Sequence, residues 1–370
     1  MDDFVDPAVA ADGEPAERQY LQRVQEGLQA LERMRGRAVQ LLQEGSPDAA
    51  WLQRMESLVE DLLAMADDQP DLALYYLVNE KVTHPLQYTG LHCLCCALMV
   101  ALGATWLEWS GHEVRAVASA ALSMNLGMGG LQDVLARQPE PPSPAQREVI
   151  RAHAERSAQW LEQAGVHEEL WLQAVRGHHT VQEAPEGQDL EPGARLAELL
   201  RRVDVYAARL SRRRTRPALT AAIAARGALL DGSNRPDAIG STMLRVLGLY
   251  PPGVYVELAN GERAVVIERG ERAHTPLVVS LRRDDGHALL NLQARDTALG
   301  RYAVQRGVHA AQAQVHVAHA SVWKARLQLG LPVRPAMASE AAPPDFDPEG
   351  AGPESGEPGG FEPDSTRDAA

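Results

Sequence analysis

Residues 88–107 read YTGLHCLCCALMVALGATWL, and the character of this run decides what kind of fold the chain can have. A membrane span needs ~18–20 uninterrupted apolar residues. Here His92 sits near the start, and Glu108 and His112 follow the end. The run therefore reads as the buried helix of a helical fold. Cys93, Cys95 and Cys96 all lie on it. Adjacent positions on one helix cannot build a disulfide framework, which fits a reducing compartment. Free cysteine packs well as a small buried apolar group.

Working toward the N-terminus, apolar residues recur at three- and four-residue spacing over 48–67 (Leu52, Met55, Leu58, Leu62) and over 17–44 (Leu21, Val24, Leu28, Leu31, Met34). That spacing predicts amphipathic helices, and 71–79 continues in kind. Toward the C-terminus, 113–122 is Ala-rich with Val114, Val117 and Ala121 on one face. Ser143-Pro144 supplies an N-cap and a first-turn proline. Glu191-Pro192 precedes a helix over 194–212, and Arg216-Pro217 closes that helix or starts another.

The texture changes at Tyr250-Pro251-Pro252-Gly253. VYVEL (254–258) faces AVVI (264–267) across Asn260-Gly261, and 277–281 faces 288–292 across Asp284-Asp285-Gly286. Both are hairpin signals. The stretch 304–328 has no clear period, and its second half reads as helix. The expected fold is mainly α: an all-helical bundle with an N-terminal helical segment and a small C-terminal β-hairpin module. Residues 1–15 are expected to be disordered, 16–84 to form the N-terminal helices, 85–248 the helical domain, 249–330 the β-module plus a helix, and 331–370 an acidic disordered tail.

The formal charge is −14, but residues 338–370 hold nine acidic residues against one Arg. The rest is only mildly acidic, which disfavours a general DNA-binding role and leaves room for a local phosphate site. Of the 36 basic residues only Lys81 and Lys324 are lysines, a compositional bias without functional reading. The N-terminus is acidic (Asp2, Asp3, Asp6) and lacks a signal-peptide layout. No membrane span and a cytoplasmic location are expected.

Histidine and aspartate ligands of a metal hydrolase must come from several converging helices, because one helix presents few side chains to one point. The helical block offers His92, His153, His178, His179 and Asp204, each in or at the end of a predicted helix. Singly, each is as consistent with a core or surface residue. The adjacent pair His178-His179 says more, since neighbours converge only where a helix ends or bends. His112, His167, His274, His287, His309, His316 and His319 have no matching partners.

Taken in order, these segments resemble the HD-GYP family of metal-dependent phosphohydrolases, over about residues 85–270. YTGLHCLCCAL places the family's first ligand at His92. AALSMNLGMGG stands where the family writes an Ala/Leu-rich run ending in HD-x-G-K. EVIRAHAERSAQWL places the next ligand at His153, AVRGHHTVQE supplies His178 and His179, and RRVDVYAARLSRRRTRPAL places the last at Asp204. The LGLYPPGVYVELANGE text is similar to the β-module that often closes the domain. The resemblance implies an HD-domain-like helical bundle, divalent metal, and cyclic di-GMP opened by metal-activated water.

The departures fall on the chemistry. Met124-Asn125 replaces the His-Asp pair, Met128 the lysine and Thr180 the glutamate after the two histidines, and no GYP loop is legible in VQEAPEGQDLEP (181–192). Two dications ~3.5–4 Å apart need a bridging carboxylate to neutralise part of their charge. Asn125 has nearly the shape of Asp without the charge, and the Met124 thioether suits hard divalent metals poorly. What survives is His153, His178 and His179, with His92 and Asp204 on the opposite side. Three histidines and water can still hold one iron, manganese or zinc ion.

Three readings follow. One is a degenerate module that binds cyclic di-GMP or another nucleotide, or contacts proteins through its N-terminal helices or acidic tail. Another is a single-metal hydrolase with Asp204 orienting or deprotonating the water. The last is a helical scaffold binding no metal at all. Arg212, Arg213, Arg214 and Arg216 could clamp phosphates bidentately, or could be a solvated helix end complementing the C-terminal dipole.

Overall fold

The computed structural model describes residues 15–44, 47–83, 88–182, 189–211, 219–229, 237–313, 315 and 317–330. The expectations for residues 1–14, for the 331–370 tail, for the arginines at 212, 213, 214 and 216, and for residues 183–188 of the GYP-equivalent loop lie outside them.

Helices α1 (Pro15–Gln43), α2 (Ala49–Asp68) and α3 (Pro70–Thr83) form the N-terminal segment. Asp48 starts α2 by accepting a hydrogen bond from the Trp51 N–H, which satisfies one of the unpaired donors of the first turn. Both α1 and α2 turn their apolar stripe inward: Leu31, Met34, Met55, Leu58 and Leu62 are all buried. The charged faces are left to solvent.

Helix α4 (Tyr88–Trp106) is the central helix. It packs against α1, α2, α3, α5 (Gly111–Ser123), α9 (Pro192–Leu210) and α11 (Ala238–Leu247). Every residue from Tyr88 to Ala101 is buried. A helix surrounded on all sides must be apolar all round, which is why this stretch resembles a membrane span by length and composition. It is the one described helix long and apolar enough to cross a membrane, and 83% of its apolar window lies inside the protein. The cysteines on it are free and buried.

Between α5 and α9 lie α6 (Leu131–Arg137), α7 (Pro144–Gln163) and α8 (Glu169–Gly177). Helix α7 opens as its sequence predicts: Ser143 and Gln146 cap each other reciprocally, with Pro144 in the first turn. Helix α10 (Ala221–Ala228) packs on α9.

The C-terminal part corrects the expected fold class. In place of a small hairpin module there is a five-stranded antiparallel sheet in the order β4-β3-β2-β1-β5. Its strands are β1 (Tyr255–Leu258), β2 (Arg263–Glu268), β3 (Leu277–Arg282), β4 (Ala288–Asp296) and β5 (Val304–Val308). Both hairpin turns fall where Asn260-Gly261 and Asp284-Asp285-Gly286 put them. The two hairpins also pair with each other through β2 and β3, and β5 closes the far side against β1. In β5, VQRGV, only Gly307 and Val308 are buried. Such a strand carries no apolar alternation to read. Helices α12 (Ala310–Ala313) and α13 (His319–Ala325) follow.

Sheet and helices share one apolar core running from Val24 to Ala325. Polar contacts fix the joint. Asp71 accepts from the Arg269 N–H and from its Nε (3.1 and 2.6 Å), and Asn79 Nδ2 donates to the Gly253 carbonyl at 3.2 Å. Gly253 has φ +98°, and a Cβ there would lie 2.6 Å from the Tyr75 carbonyl oxygen and 2.7 Å from the Asn79 nitrogen. Backbone atoms of α3 cannot yield as a side chain end could. Gly253→Ala is therefore expected to cost ~3 kcal/mol through strain and lost packing, read as a lower urea midpoint; an unchanged midpoint would mean the sheet does not seat on α3 as described.

Candidate metal centre

The helical block carries its histidines to two neighbouring clusters. His153 projects from the middle of α7. His178 caps the C-terminus of α8, and His179 follows it. Because α8 stops at Gly177, both neighbours turn toward α7. His153 Nε2 lies 3.2 Å from His178 Nε2 and 3.1 Å from His179 Nε2, and the ligand atoms of all three lie within 4.8 Å of one another. His153 and His178 are fully buried, while His179 stands at the solvent edge.

Proton placement in this cluster is legible. His153 Nδ1 donates to the Ile150 carbonyl at 2.5 Å, and His178 Nδ1 donates to the Val175 carbonyl at 2.6 Å. With those protons committed, both Nε2 atoms present lone pairs, and the lone pairs face each other. The His153–His178 contact therefore lacks a donor and is repulsive unless a cation sits between them; His179 Nε2 can offer a proton to His153 but has no such contact with His178. Tetrahedral zinc with Zn–N bonds of ~2.0–2.1 Å separates its nitrogens by ~3.3 Å, close to the distances found. The backbone-anchored Nδ1–H is also the usual support of a metal-ligating histidine. These residues fit a divalent ion.

The imidazoles are held neutral. Burial pushes His153 down to about 4, with His179 adding to the effect. Burial takes His178 well below the ordinary value, helped by His179 and His153. His179 is lowered chiefly by burial as well. A neutral imidazole is the form that binds metal.

The second cluster centres on His92 in α4. Its Nε2 lies 2.7 Å from Asp204 Oδ1 of α9, and Cys96 Sγ, one turn along α4, is 3.7 Å from the same nitrogen. Lys81 Nζ, from the last turn of α3, sits 2.6 Å from His92 Nδ1. Tyr88 stacks on the His92 ring with centroids 5.4 Å apart, and Lys81 Nζ lies 4.7 Å from the Tyr88 centroid. Burial alone would raise the Asp204 carboxyl, but the hydrogen bond it accepts from His92 leads the effects that hold it well below the usual carboxylate range. Asp204 therefore faces both clusters as an anion. Burial keeps the Cys96 thiol well above its ordinary value, so it is an inert thiol by default.

The chain is 28% identical over 226 residues to a cyclic di-GMP phosphodiesterase of Pseudomonas aeruginosa. The alignment covers 60% of this chain and 54% of the relative, so the chain spans about half the length of the curated relative it matches. No family model matches. The likeness supports the broad family read from the sequence.

The replaced positions lie as follows. Met124 is fully buried at the end of α5, where its carbonyl accepts from Ser157 Oγ at 2.8 Å. Asn125 is buried with its Nδ2 3.8 Å from Cys93 Sγ. Gly127 packs on α7 so closely that a Cβ would come within 2.5 Å of the His153 carbonyl oxygen, fixing the backbone that follows Asn125. Met128 belongs to a small apolar cluster with Leu135 and Ile150, and Thr180 is exposed. None supplies a carboxylate between the clusters. An open apolar pocket of about 360 Å³, lined among others by Met128, Arg156 and Trp160, lies beside this segment and includes none of the histidines.

Lys81 and Tyr88 were not among the site residues read from the sequence, and Cys96 was read there as a small buried apolar group. Tyr88 and Cys96 stand four residues either side of His92, the spacing of one helix face, and that signal was available. Lys81 comes from another helix and had none.

Proposed function

We propose that this protein recognises cyclic di-GMP on a phosphodiesterase scaffold, keeping a single divalent ion at His153, His178 and His179 and having lost two-metal hydrolysis. The observation that carries the reading is the pair of buried lone pairs facing each other on His153 and His178, a place made for one cation, next to an Asn125 that cannot bridge two. A single ion held there would supply the positive charge that attracts and polarises a phosphoryl oxygen. The likeness to a cyclic di-GMP phosphodiesterase supports the choice of ligand. The N-terminal helices or the acidic tail remain the proposed protein-contact segments.

The test is calorimetric titration of cyclic di-GMP into zinc-, manganese- and iron-loaded protein, with hydrolysis followed chromatographically. Metal-dependent binding with product at the no-enzyme baseline is the expected result. Robust turnover abolished by His179→Ala would overturn it. It would favour a single-metal hydrolase, the reading supported by the Asp204 anion beside the three histidines, poised to orient or deprotonate water. Binding that ignores metal would reject both.

A further inference from the structure

Two histidines of the first cluster and the single histidine of the second are supported in opposite ways. His153 and His178 each give their Nδ1 proton to a backbone carbonyl, which frees Nε2 for a metal. At its Nδ1, His92 instead meets Lys81 Nζ, 2.6 Å away. An ammonium has three donors and no acceptor, so His92 Nδ1 must accept. The ring proton then sits on Nε2, where Asp204 Oδ1 at 2.7 Å receives it. The chain Lys81 to His92 to Asp204 is closed in donor–acceptor terms, and its end charges are opposite.

Without Lys81, the same neighbourhood would be a second metal pocket. His92 Nε2, Cys96 Sγ and an Asp204 oxygen lie within 4.8 Å of one another, a mixed nitrogen, sulfur and oxygen set suited to zinc, cobalt or iron. For an ion to use it, the Nε2 lone pair must be free and the ring proton must move to Nδ1. There it would point at an ammonium that cannot accept it. Lys81 is buried at 4% exposure and held over the Tyr88 ring, so it cannot simply swing into solvent.

We propose that Lys81 is a positioning residue that limits the centre to one metal, by fixing the Nε2–H form of His92 and so withholding the His92–Cys96–Asp204 pocket from a second ion. This rests on the reading of the three histidines as a single-ion site. It explains why a pocket with three donors need not fill. It also gives Asp204 a fixed proton donor on one side, leaving its charge directed at the three histidines.

The test has two readouts. In metal-free, ¹⁵N-histidine-labelled protein, long-range proton–nitrogen correlation reads the His92 tautomer directly, with its signals assigned by their loss in His92→Gln. The expected form is Nε2–H in the wild type, switching to Nδ1–H in Lys81→Gln, whose amide oxygen can accept. Cobalt titration is the second readout. The wild type should take up one equivalent without a thiolate-to-cobalt band. Lys81→Gln should take up two and gain that band, and Cys96→Ser added to Lys81→Gln should remove the band again.

An Nδ1–H form of His92 in the wild type, a Cys96-dependent band in the wild type, or a Lys81→Gln protein with unchanged tautomer and stoichiometry would each overturn the proposal. If Lys81→Gln does not fold, the wild-type tautomer and wild-type cobalt spectrum still decide it. A wild type that binds no cobalt at all, while Lys81→Gln gains the Cys96 band, would sink the three-histidine site and leave the role of Lys81 standing.

Discussion

His179→Ala protein is expected to leave native purification without divalent metal, where the wild type carries close to one equivalent. The physical case is the donor count. Three neutral imidazoles and solvent complete a four-coordinate site; two do not. Loss of a mere supporting hydrogen bond around a metal costs 10–100-fold in affinity, so removal of a ligand is expected to cost at least ~100-fold. The choice of His179 matters. It stands at the solvent edge, whereas His153 and His178 are buried at 1% and 0% exposure. Truncating either buried ring leaves a cavity and an orphaned carbonyl, at Ile150 or Val175, and so confounds folding with binding. His179→Ala should leave the metal-free unfolding midpoint close to that of the metal-free wild type. Elemental analysis with a chelator-competition titration measures the first effect, and thermal unfolding of stripped protein the second. Equal metal content in wild type and variant would remove the three-histidine site from consideration.

The convergence of these side chains was partly legible in the sequence, and what was not has a physical reason. Periodicity and caps located α1, α2, α7 and α9 because each exposes one face and hides another, and Ser143 announces its helix through groups the backbone must satisfy. The pair His178-His179 was informative for the same local reason: a helix that ends at Gly177 can aim two successive side chains at one point. The sheet was only half legible. Its hairpins advertise themselves through turn chemistry that demands positive φ at Gly261 and Gly286. Strand β5 does not, because its place is set by pairing with β1 rather than by its own apolar pattern. Least legible was Lys81. It precedes His92 by 11 positions on a different helix, and only the packing of α3 on α4 brings the two side chains together. Sequence similarity directs attention to the residues a family shares, and Lys81 was not among the matched positions.

Acid should destabilise the metal-free protein well before ordinary carboxylates titrate, and the three histidines set the window. The His153 imidazole lies at about 4 in the folded protein against 6.5 for the free group. A depressed folded value means that the unfolded chain binds the proton first. The stability that His153 contributes as a neutral group is therefore present above pH 6.5 and is lost as pH falls toward 4. At 1.36 kcal/mol per unit the full loss is about 3 kcal/mol from this residue alone. His178 and His179 are displaced in the same direction, so they steepen the decline. Asp204 adds a later loss: held below the usual carboxylate range by His92, it stabilises the fold above its unfolded value and ceases to do so in stronger acid. Bound zinc should move the whole decline to lower pH, since protons must then displace the ion before they reach the rings. Urea unfolding of stripped and zinc-loaded protein between pH 7 and 4 measures this directly. His153→Gln should flatten the stripped protein's profile, because it removes one of the titrating rings. A stripped wild type whose stability does not fall between pH 6.5 and 5 would mean that these imidazoles are not buried as neutral groups, and the lone-pair argument for a cation would fail with them.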